Sequence, residues 1–212
     1  MNDILRAYRG EAWNERLHVW FRARSCPFDA VETRVPRHGR ILDLGCGHGL
    51  FSLILGRARE RDVVGVDIDA DKLGVARRAA ARAGLTNVRF ESVAPGFVPS
   101  DGWDAVCLVD VLYLLGHEPA RQLLRSASAA LNPSGVLLVK EIDLRPRWKY
   151  ELARFQELAA TRLLRITEGR QVAFLPPNEI ATEMAAGGLV VERVSLQRHR
   201  LHPHHLVVGR AG

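Results

Sequence analysis

One short segment, from Ile41 to Gly49, constrains the fold more than any other part of the sequence. It reads Ile-Leu-Asp-Leu-Gly-Cys-Gly-His-Gly. Its first half is predicted to be a buried strand, and its glycines come directly before a predicted helix. Glycine is needed in such a turn because the backbone must bend sharply and approach a ligand more closely than a Cβ atom permits. The segment therefore predicts a strand, a ligand-binding loop and a helix in one α/β unit.

An acidic residue at the end of the next predicted strand makes this loop more specific. Asp67 follows Gly47 by about 20 residues, where the hydroxyls of a ribose would need an acceptor. Dinucleotide-binding domains share this feature, but they favour the spacing G-x-G-x-x-G, whereas this loop has G-x-G-x-G. Asp43, just before the loop, suits the ammonium group of an amino-acid ligand better than it suits a pyrophosphate. A Rossmann-like domain that binds no such ligand stays open as the alternative.

Short apolar runs alternate with predicted helices from Arg40 onward. Strands that are apolar on both sides, with helices between them, are typical of a parallel sheet covered on both faces. We therefore expect a doubly wound α/β fold. The predicted strands are Ile41–Leu44, Val63–Asp67, Val88–Glu91, Ala105–Val109, Val136–Ile142, Leu189–Val194 and Leu206–Gly209, and the predicted helices lie near Leu50–Glu60, Ala70–Ala83 and Pro119–Leu131.

The chain of 212 residues has the length of one large domain rather than two independent ones. We divide this single domain into an N-terminal helical cap (1–37), a core (38–143), a helical insertion (144–180) and the last two strands (181–212). Amphipathic helices in the cap and the insertion have two interpretations: ordinary core packing, or a substrate lid over the end of the sheet. Their apolar residues are Trp13, Leu17, Trp20 and Phe21 in the cap, and Leu152, Phe155, Leu158, Ala159 and Leu163 in the insertion.

Composition limits the partners and the compartment. The net charge is +6, but the arginines are scattered, which favours a solvated basic surface over a nucleic-acid interface. Cys26, Cys46 and Cys107 are odd in number and widely spaced, so neither a disulfide framework nor a zinc site is indicated, and we expect no metal. The N-terminus lacks an apolar signal, and the run Ala105–Leu115 is interrupted by Asp110. We therefore expect a cytoplasmic protein without integral membrane segments.

Four stretches together resemble the class I S-adenosylmethionine (SAM)-dependent methyltransferases. Ile41–Leu53 is similar to motif I of that family and Val63–Asp69 to motif II, while Trp103–Leu112 and Leu131–Leu138 resemble the motifs around the fourth and fifth strands. The resemblance covers residues 38–143 and is strongest to the small-molecule branch, which includes quinone methyltransferases. It implies a Rossmann-like, mostly parallel seven-stranded sheet with an antiparallel last strand. It also implies an enzyme that uses SAM and releases S-adenosylhomocysteine (SAH).

The resemblance also assigns the cofactor-binding positions. The loop backbone would cradle the methionine moiety, with Asp43 acting directly or through water, and Asp67 would bind the ribose hydroxyls. Ile68 would pack against the adenine. Ala94 stands where the family often has an acidic residue for the adenine amine, so we expect backbone recognition there. The full set that the resemblance implies is Asp43, Gly45, Cys46, Gly47, Gly49, Asp67, Ile68, Val93, Ala94 and Asp110.

Candidate catalytic residues follow the fourth predicted strand and precede the last one. Ligands of open α/β sheets bind beyond the carboxyl ends of the strands, so Asp110 is expected to face the methyl group and the acceptor. The alternative is that Asp110 caps a following helix. Many relatives have a histidine where this chain has Leu114, so Tyr113 is expected to orient the acceptor instead. If the last strand is antiparallel, as the family fold implies, His202 and His204 lie near the site, as a base or as solvated loop residues.

Two features of the sequence bear on the acceptor: a missing motif after the fourth strand and the aromatic residues of the predicted helices. Methyltransferases of exocyclic base amines carry an Asn/Asp-Pro-Pro-aromatic tetrad after the fourth strand, and Val109–Leu112 lacks it. Aromatic residues such as Trp13, Trp20, Trp148 and Phe155 favour a hydrophobic small molecule, although they suit a protein core equally well. We expect methyl transfer to a small acceptor, at oxygen, with nucleic acid unexpected as a partner and the oligomeric state open. An RNA methyltransferase and a non-catalytic SAM-binding protein are the alternatives.

Overall fold

The computed structural model describes residues 1–100, 102–142, 175–196 and 204–212. The described residues form one sheet of seven strands with α-helices on both faces. The strands are β1 (Gly39–Leu44), β2 (Arg61–Asp67), β3 (Val88–Ser92), β4 (Trp103–Val109), β5 (Leu131–Ile142), β6 (Val190–Ser195) and β7 (His204–Arg210). The helices are α1 (Asn2–Ala7), α2 (Trp13–Ser25), α3 (Phe28–Glu32), α4 (Leu50–Leu55), α5 (Ala70–Arg82), α6 (His117–Ala129) and α7 (Pro177–Ala186).

The strand order is β3-β2-β1-β4-β5-β7-β6. The pairs β3·β2, β2·β1, β1·β4 and β4·β5 are parallel, whereas β7 is antiparallel to both β5 and β6. The predicted fold, a mostly parallel doubly wound sheet with an antiparallel last strand, is therefore confirmed. The parallel strands place the carboxyl ends of β1, β2, β4 and β5 at one edge, and β7 begins at that same edge.

Alternate residues of the central strands enter two different apolar clusters. In β1, Ile41 packs with the cluster of α1 to α5, whereas Leu42 and Leu44 pack with the cluster of α6 and α7. The period of two along the strand therefore separates the two layers of helices. Both layers are apolar, which is why the central strands contain few polar residues.

Helix α4 is shorter than the sequence predicts, because it ends at Leu55 instead of continuing to Glu60. The Nδ2 amide of Asn87 donates hydrogen bonds to the carbonyl oxygens of Gly56, Ala58 and Arg61, at 3.0 to 3.1 Å. These bonds stabilise a turn where the helix would otherwise continue. A tertiary contact thus overrides the local helical propensity.

The N-terminal helices pack beside α4 and α5, but the apolar stripe of α2 is not buried. Trp13, Leu17, Trp20 and Phe21 are between 46% and 74% exposed. Core packing is therefore not their role among the described residues. The helix predicted around Leu152 lies outside the described residues. No helix in the described ranges is both long enough and apolar enough to cross a bilayer.

Candidate active site

The glycine loop after β1 has a backbone that only glycine adopts easily. The φ angles of Gly45, Gly47 and Gly49 are 76°, 53° and 75°. A Cβ atom on Gly45 would lie 2.6 Å from Cγ2 of Val111, and one on Gly49 would lie 2.7 Å from the ring of Phe90. A Cβ atom on Gly47 would meet nothing closer than 3.9 Å. Packing therefore leaves no room for a side chain at Gly45 or Gly49. At Gly47 the space where a side chain would lie is open.

Asp67, at the end of β2, accepts a hydrogen bond from this loop. Its Oδ2 atom accepts a hydrogen bond from the backbone N–H of Gly47 at 2.8 Å, and its Oδ1 atom accepts one from Asp69 at 2.9 Å. A carboxylate has about four lone-pair sites, so both oxygens can accept further donors. Ile68 follows it with 53% of its surface exposed, although it is a large apolar residue. The assignment of this carboxylate to the ribose and of the exposed Ile68 to the adenine stays a prediction.

Asp43 lies below the loop and is buried. Its Oδ2 atom accepts a hydrogen bond from the Ser52 hydroxyl at 2.5 Å. Burial raises the pKa of Asp43 to about 6, and the charge of Asp67 adds to the increase. This contact ties β1 to α4, and the expected role of Asp43 toward an ammonium group stays a prediction.

Three further predicted cofactor positions are Val93, Ala94 and Cys46. The backbone N–H of Val93 donates to the carbonyl of Asp67 at 3.1 Å, which fixes the start of the segment after β3. Ala94 is exposed and offers only its backbone there. Cys46 is a free, half-buried thiol in the loop, and burial raises its pKa above the ordinary range.

Asp110 follows β4 in a left-handed conformation, with φ of 59°, which is rare for a residue other than glycine. Its buried carboxylate lies between two cations, with Arg22 Nη1 at 2.5 Å and Lys140 Nζ at 2.6 Å. Burial alone would raise the pKa of Asp110, but the charges of Lys140 and Arg22 outweigh it and hold the pKa below its ordinary value. Asp110 is therefore a fixed carboxylate and a poor proton acceptor near neutral pH.

Glu141, rather than Asp110, caps the short 3-10 turn at Leu112–Leu114. Its Oε1 atom accepts hydrogen bonds from the backbone N–H groups of Val111 at 3.1 Å and Leu112 at 2.9 Å. Burial, together with the charge of Asp110, raises the pKa of Glu141 to about 8. The pKa values of the two adjacent acids are thus displaced in opposite directions, below the ordinary value for Asp110 and above it for Glu141.

Tyr113 and His204 lie at the same edge of the sheet. Burial and the nearby charge of Asp110 raise the pKa of the Tyr113 hydroxyl to about 12. His204 is the first residue of β7, is only 2% exposed, and stands opposite Ile142 in the strand register. The structure therefore brings Asp110, Tyr113 and His204 to one region, whereas His202 lies outside the described residues.

The inner side of α2 carries polar residues that the sequence analysis did not select. Glu15 hydrogen-bonds the ring of His48 in the glycine loop. The His18 ring lies 4.7 Å from the His48 ring, measured between centroids. Tyr8 donates from its hydroxyl to the carbonyl of His48 at 2.8 Å. The N-terminal helices therefore lie directly against the loop.

Burial keeps both of these histidines neutral. It lowers the pKa of His18 to about 3, with smaller electrostatic contributions from the neighbouring His48 ring and from Arg22. Burial also lowers the pKa of His48, against the opposing effect of Glu15. The two rings in the contact between α2 and the loop are thus uncharged at neutral pH.

The chain is similar in sequence to known methyltransferases. A family model described as a methyltransferase domain matches residues 17–194. A ubiquinone biosynthesis O-methyltransferase of Aeromonas salmonicida is 27% identical over 157 residues, which cover 74% of this chain and 65% of the relative. A ribosomal RNA small subunit methyltransferase C of Chromohalobacter salexigens is 32% identical over 137 residues, which cover 62% and 40%. The chain thus spans less than two thirds of the length of either relative.

One solved structure shows the same fold over nearly the whole chain. The magnesium protoporphyrin IX methyltransferase of Synechocystis, solved with bound SAH, superposes with a TM-score of 0.66 at 17% sequence identity. The match covers 99% of this chain and 94% of that protein.

Proposed function

We propose a function from the premise that the chain belongs to the methyltransferase domain family and to the class I SAM-dependent methyltransferases. The chain transfers the methyl group of SAM to an oxygen atom of a small hydrophobic acceptor. The observation that carries this proposal is the contact between Asp67 and the N–H of Gly47. It joins the carboxylate that we assign to the ribose to the backbone of the glycine loop, at the rim of a parallel sheet.

The residues present fit the cofactor. Asp67 would hold the ribose hydroxyls, exposed Ile68 would cover the adenine, and the backbone from Gly45 to Gly49 would hold the methionine moiety. When bound, SAM supplies a methyl group that is already activated as part of a sulfonium. The chain therefore needs mainly to orient the acceptor and exclude water.

Asp110 serves in this proposal as a positioning residue rather than as the base. Its carboxylate is held by Arg22 and Lys140 and keeps its charge, so it does not take a proton from the acceptor. Tyr113 orients the acceptor through its hydroxyl, which stays protonated. His204, or His202 in the segment before it, accepts the proton of the acceptor hydroxyl.

Oxygen is favoured as the acceptor atom by the relative that is named a ubiquinone biosynthesis O-methyltransferase. Small apolar acceptors also suit the residues after β4, where buried Val111 and Leu112 are followed by exposed Leu114. The three cysteines are free thiols, in keeping with the reducing cytoplasm that we propose as the location.

RNA methylation is the second candidate, because one relative is named a ribosomal RNA methyltransferase and the chain carries a net charge of +6. The two candidates differ in their dependence on salt. Binding that rests on phosphate contacts weakens steeply with ionic strength, whereas binding of a neutral phenol does not.

The test has two stages. Titration calorimetry with SAM first measures binding, and turnover is then measured against phenols, catechols and a generic structured RNA at two salt concentrations. Methylation of a phenolic hydroxyl supports the proposal. Salt-sensitive methylation of RNA alone would replace it with the second candidate, and SAM binding without turnover of any acceptor would indicate a non-catalytic protein.

A further inference from the structure

The outer side of α2 carries large apolar side chains, although the inner side of the helix already buries Val19 and Ala23 in the core. We define the α2 outer face as Trp13, Leu17, Trp20 and Phe21, whose side chains are all largely exposed. The opposite side of the same helix carries Glu15, His18 and Arg22 and faces the glycine loop and the turn after β4. Contiguous exposed apolar residues of this size mark an interaction surface.

A groove borders this face between α1 and α2. Its volume is about 650 Å³, and apolar residues of both helices line it, including Leu5, Leu17 and Trp20. Three arginines, Arg6, Arg9 and Arg16, line the same groove. The surface therefore combines apolar side chains with guanidinium groups.

The positive charge of the groove is poorly neutralised. Among the described residues, Arg6 pairs with Asp3 alone, at 3.3 Å and in an exposed position. Arg9 and Arg16 are exposed, and neither pairs with a carboxylate in the described part of the chain. Next to the groove, the guanidinium of Arg24 lies 5.1 Å from the centre of the Trp20 ring. Such a surface is complementary to an amphiphilic partner with anionic head groups.

We propose that the α2 outer face docks on the surface of an anionic lipid bilayer. Tryptophan, leucine and phenylalanine on one side of a helix are the residues that enter the region between head groups and acyl chains. Arginines beside them contact lipid phosphates, and each contributes through the negative potential of the leaflet. A nucleic acid would use the arginines but leave the apolar side chains without a partner. The proposal is independent of the acceptor and of the methyl transfer proposed above.

The experiment is vesicle co-sedimentation with the full chain at low ionic strength, using phosphatidylglycerol mixed with phosphatidylcholine, or phosphatidylcholine alone. We expect binding to the anionic vesicles and a shift of tryptophan emission to shorter wavelength. The variant Leu17→Ser/Trp20→Ser should lose binding by roughly 30-fold or more. The variant Arg9→Ala/Arg16→Ala should weaken binding to the anionic vesicles by roughly 30-fold, given two arginines near the surface.

Matched controls test the same chemistry elsewhere on the surface. Val98→Ser/Val190→Ser removes two other exposed apolar side chains, and Arg57→Ala removes an exposed arginine away from the groove. Both should bind vesicles like the parent chain. Circular dichroism verifies that each variant is folded.

Three results would overturn the proposal. The first is absence of binding to anionic vesicles by the folded parent chain. The second is equal binding by the α2 variants and the controls. The third is a lipid-independent dimer that Leu17→Ser/Trp20→Ser dissociates, since the face would then join two copies of the chain.

Discussion

The guanidinium of Arg22 lies 2.5 Å from the carboxylate of Asp110, and this pair connects the second helix of the chain to the residue that follows β4. Asp110 is also held by Lys140 of β5, so one carboxylate joins three elements. The left-handed backbone of Asp110 persists because these partners fix its side chain and because its N–H donates to the carbonyl of Lys140 at 2.9 Å.

Arg22→Ala should release α2 from the site. We expect the free energy of unfolding to fall by roughly 1–3 kcal/mol, less than for a fully buried pair, because Lys140 still holds Asp110 and Arg22 is partly exposed. Urea unfolding measures the change. Arg34→Ala, which breaks the exposed pair with Glu192, is the control and should cost less than about 1 kcal/mol. Equal losses in both variants would show that the Arg22 pair is an ordinary surface contact.

Asp67→Ala should weaken SAM binding by roughly 1–3 kcal/mol, the magnitude expected when a polar partner is removed from a bound ligand. Titration calorimetry checks this value. Asp62→Asn changes one charge at the other end of the same strand and should leave the affinity unchanged. Unchanged affinity in Asp67→Ala would show that the ribose assignment is wrong.

Asp110→Asn should lower turnover more than it lowers SAM affinity. Asparagine tolerates the left-handed conformation, so the backbone is kept while the charge between Arg22 and Lys140 is lost. Comparing kcat with the calorimetric Kd separates the two effects. Full turnover in this variant would leave Asp110 with a purely structural role.

Because the pKa of Glu141 is raised in the fold, we expect the free energy of unfolding to depend on pH. Its pKa is raised from 4.5 to about 8 in the fold, so the folded chain holds this proton more tightly than the unfolded chain does. The associated stabilisation is complete below pH 4.5 and is lost as the pH rises toward 8. Glu141→Gln should therefore remove part of the decline in stability between these values.

The measurement is urea unfolding of the parent and Glu141→Gln at pH 5 and pH 8. Glu60→Gln, at an exposed position, should decline in parallel with the parent. A Glu141→Gln variant that also declines in parallel would contradict the raised pKa of Glu141.

Gly45→Ala and Gly84→Ala separate two costs of replacing a glycine. Both positions have positive φ, but a Cβ atom on Gly84 meets nothing within 4 Å, whereas one on Gly45 meets Val111 at 2.6 Å. Gly84→Ala should lower the free energy of unfolding by roughly 1–2 kcal/mol, from the strained backbone alone. Gly45→Ala should cost more and should also reduce SAM affinity. Equal costs in thermal unfolding would mean that Val111 moves aside freely.

The strands and the loop could be predicted from the sequence because their signals are local. Apolar runs of strand length, glycines at every second position of the loop and an acidic residue at the next strand end do not depend on distant parts of the chain. The ionic partners of Asp110 could not be predicted, since Arg22 is 88 residues away in sequence. The one available signal was Lys140, a charged residue within an apolar strand, which indicates a buried partner.

The exposure of the α2 outer face also could not be predicted from local sequence patterns. Helical periodicity identifies an apolar side but does not tell which way that side points. Here Glu15, His18 and Arg22 have specific partners on the inner side, where only Val19 and Ala23 are buried in the core, and the large apolar residues turn outward. The histidine expected after β4 is replaced by exposed Leu114, and the beginning of β7 brings His204 to that edge instead.

Helix α2 contacts the glycine loop through Glu15 and the turn after β4 through Arg22, so any displacement of the helix alters both places at once. Thermodynamic linkage then makes the two sides of the helix reciprocal. Whatever binds outside and favours one position of α2 changes the affinity for SAM by a certain factor, and SAM changes the outside affinity by that same factor.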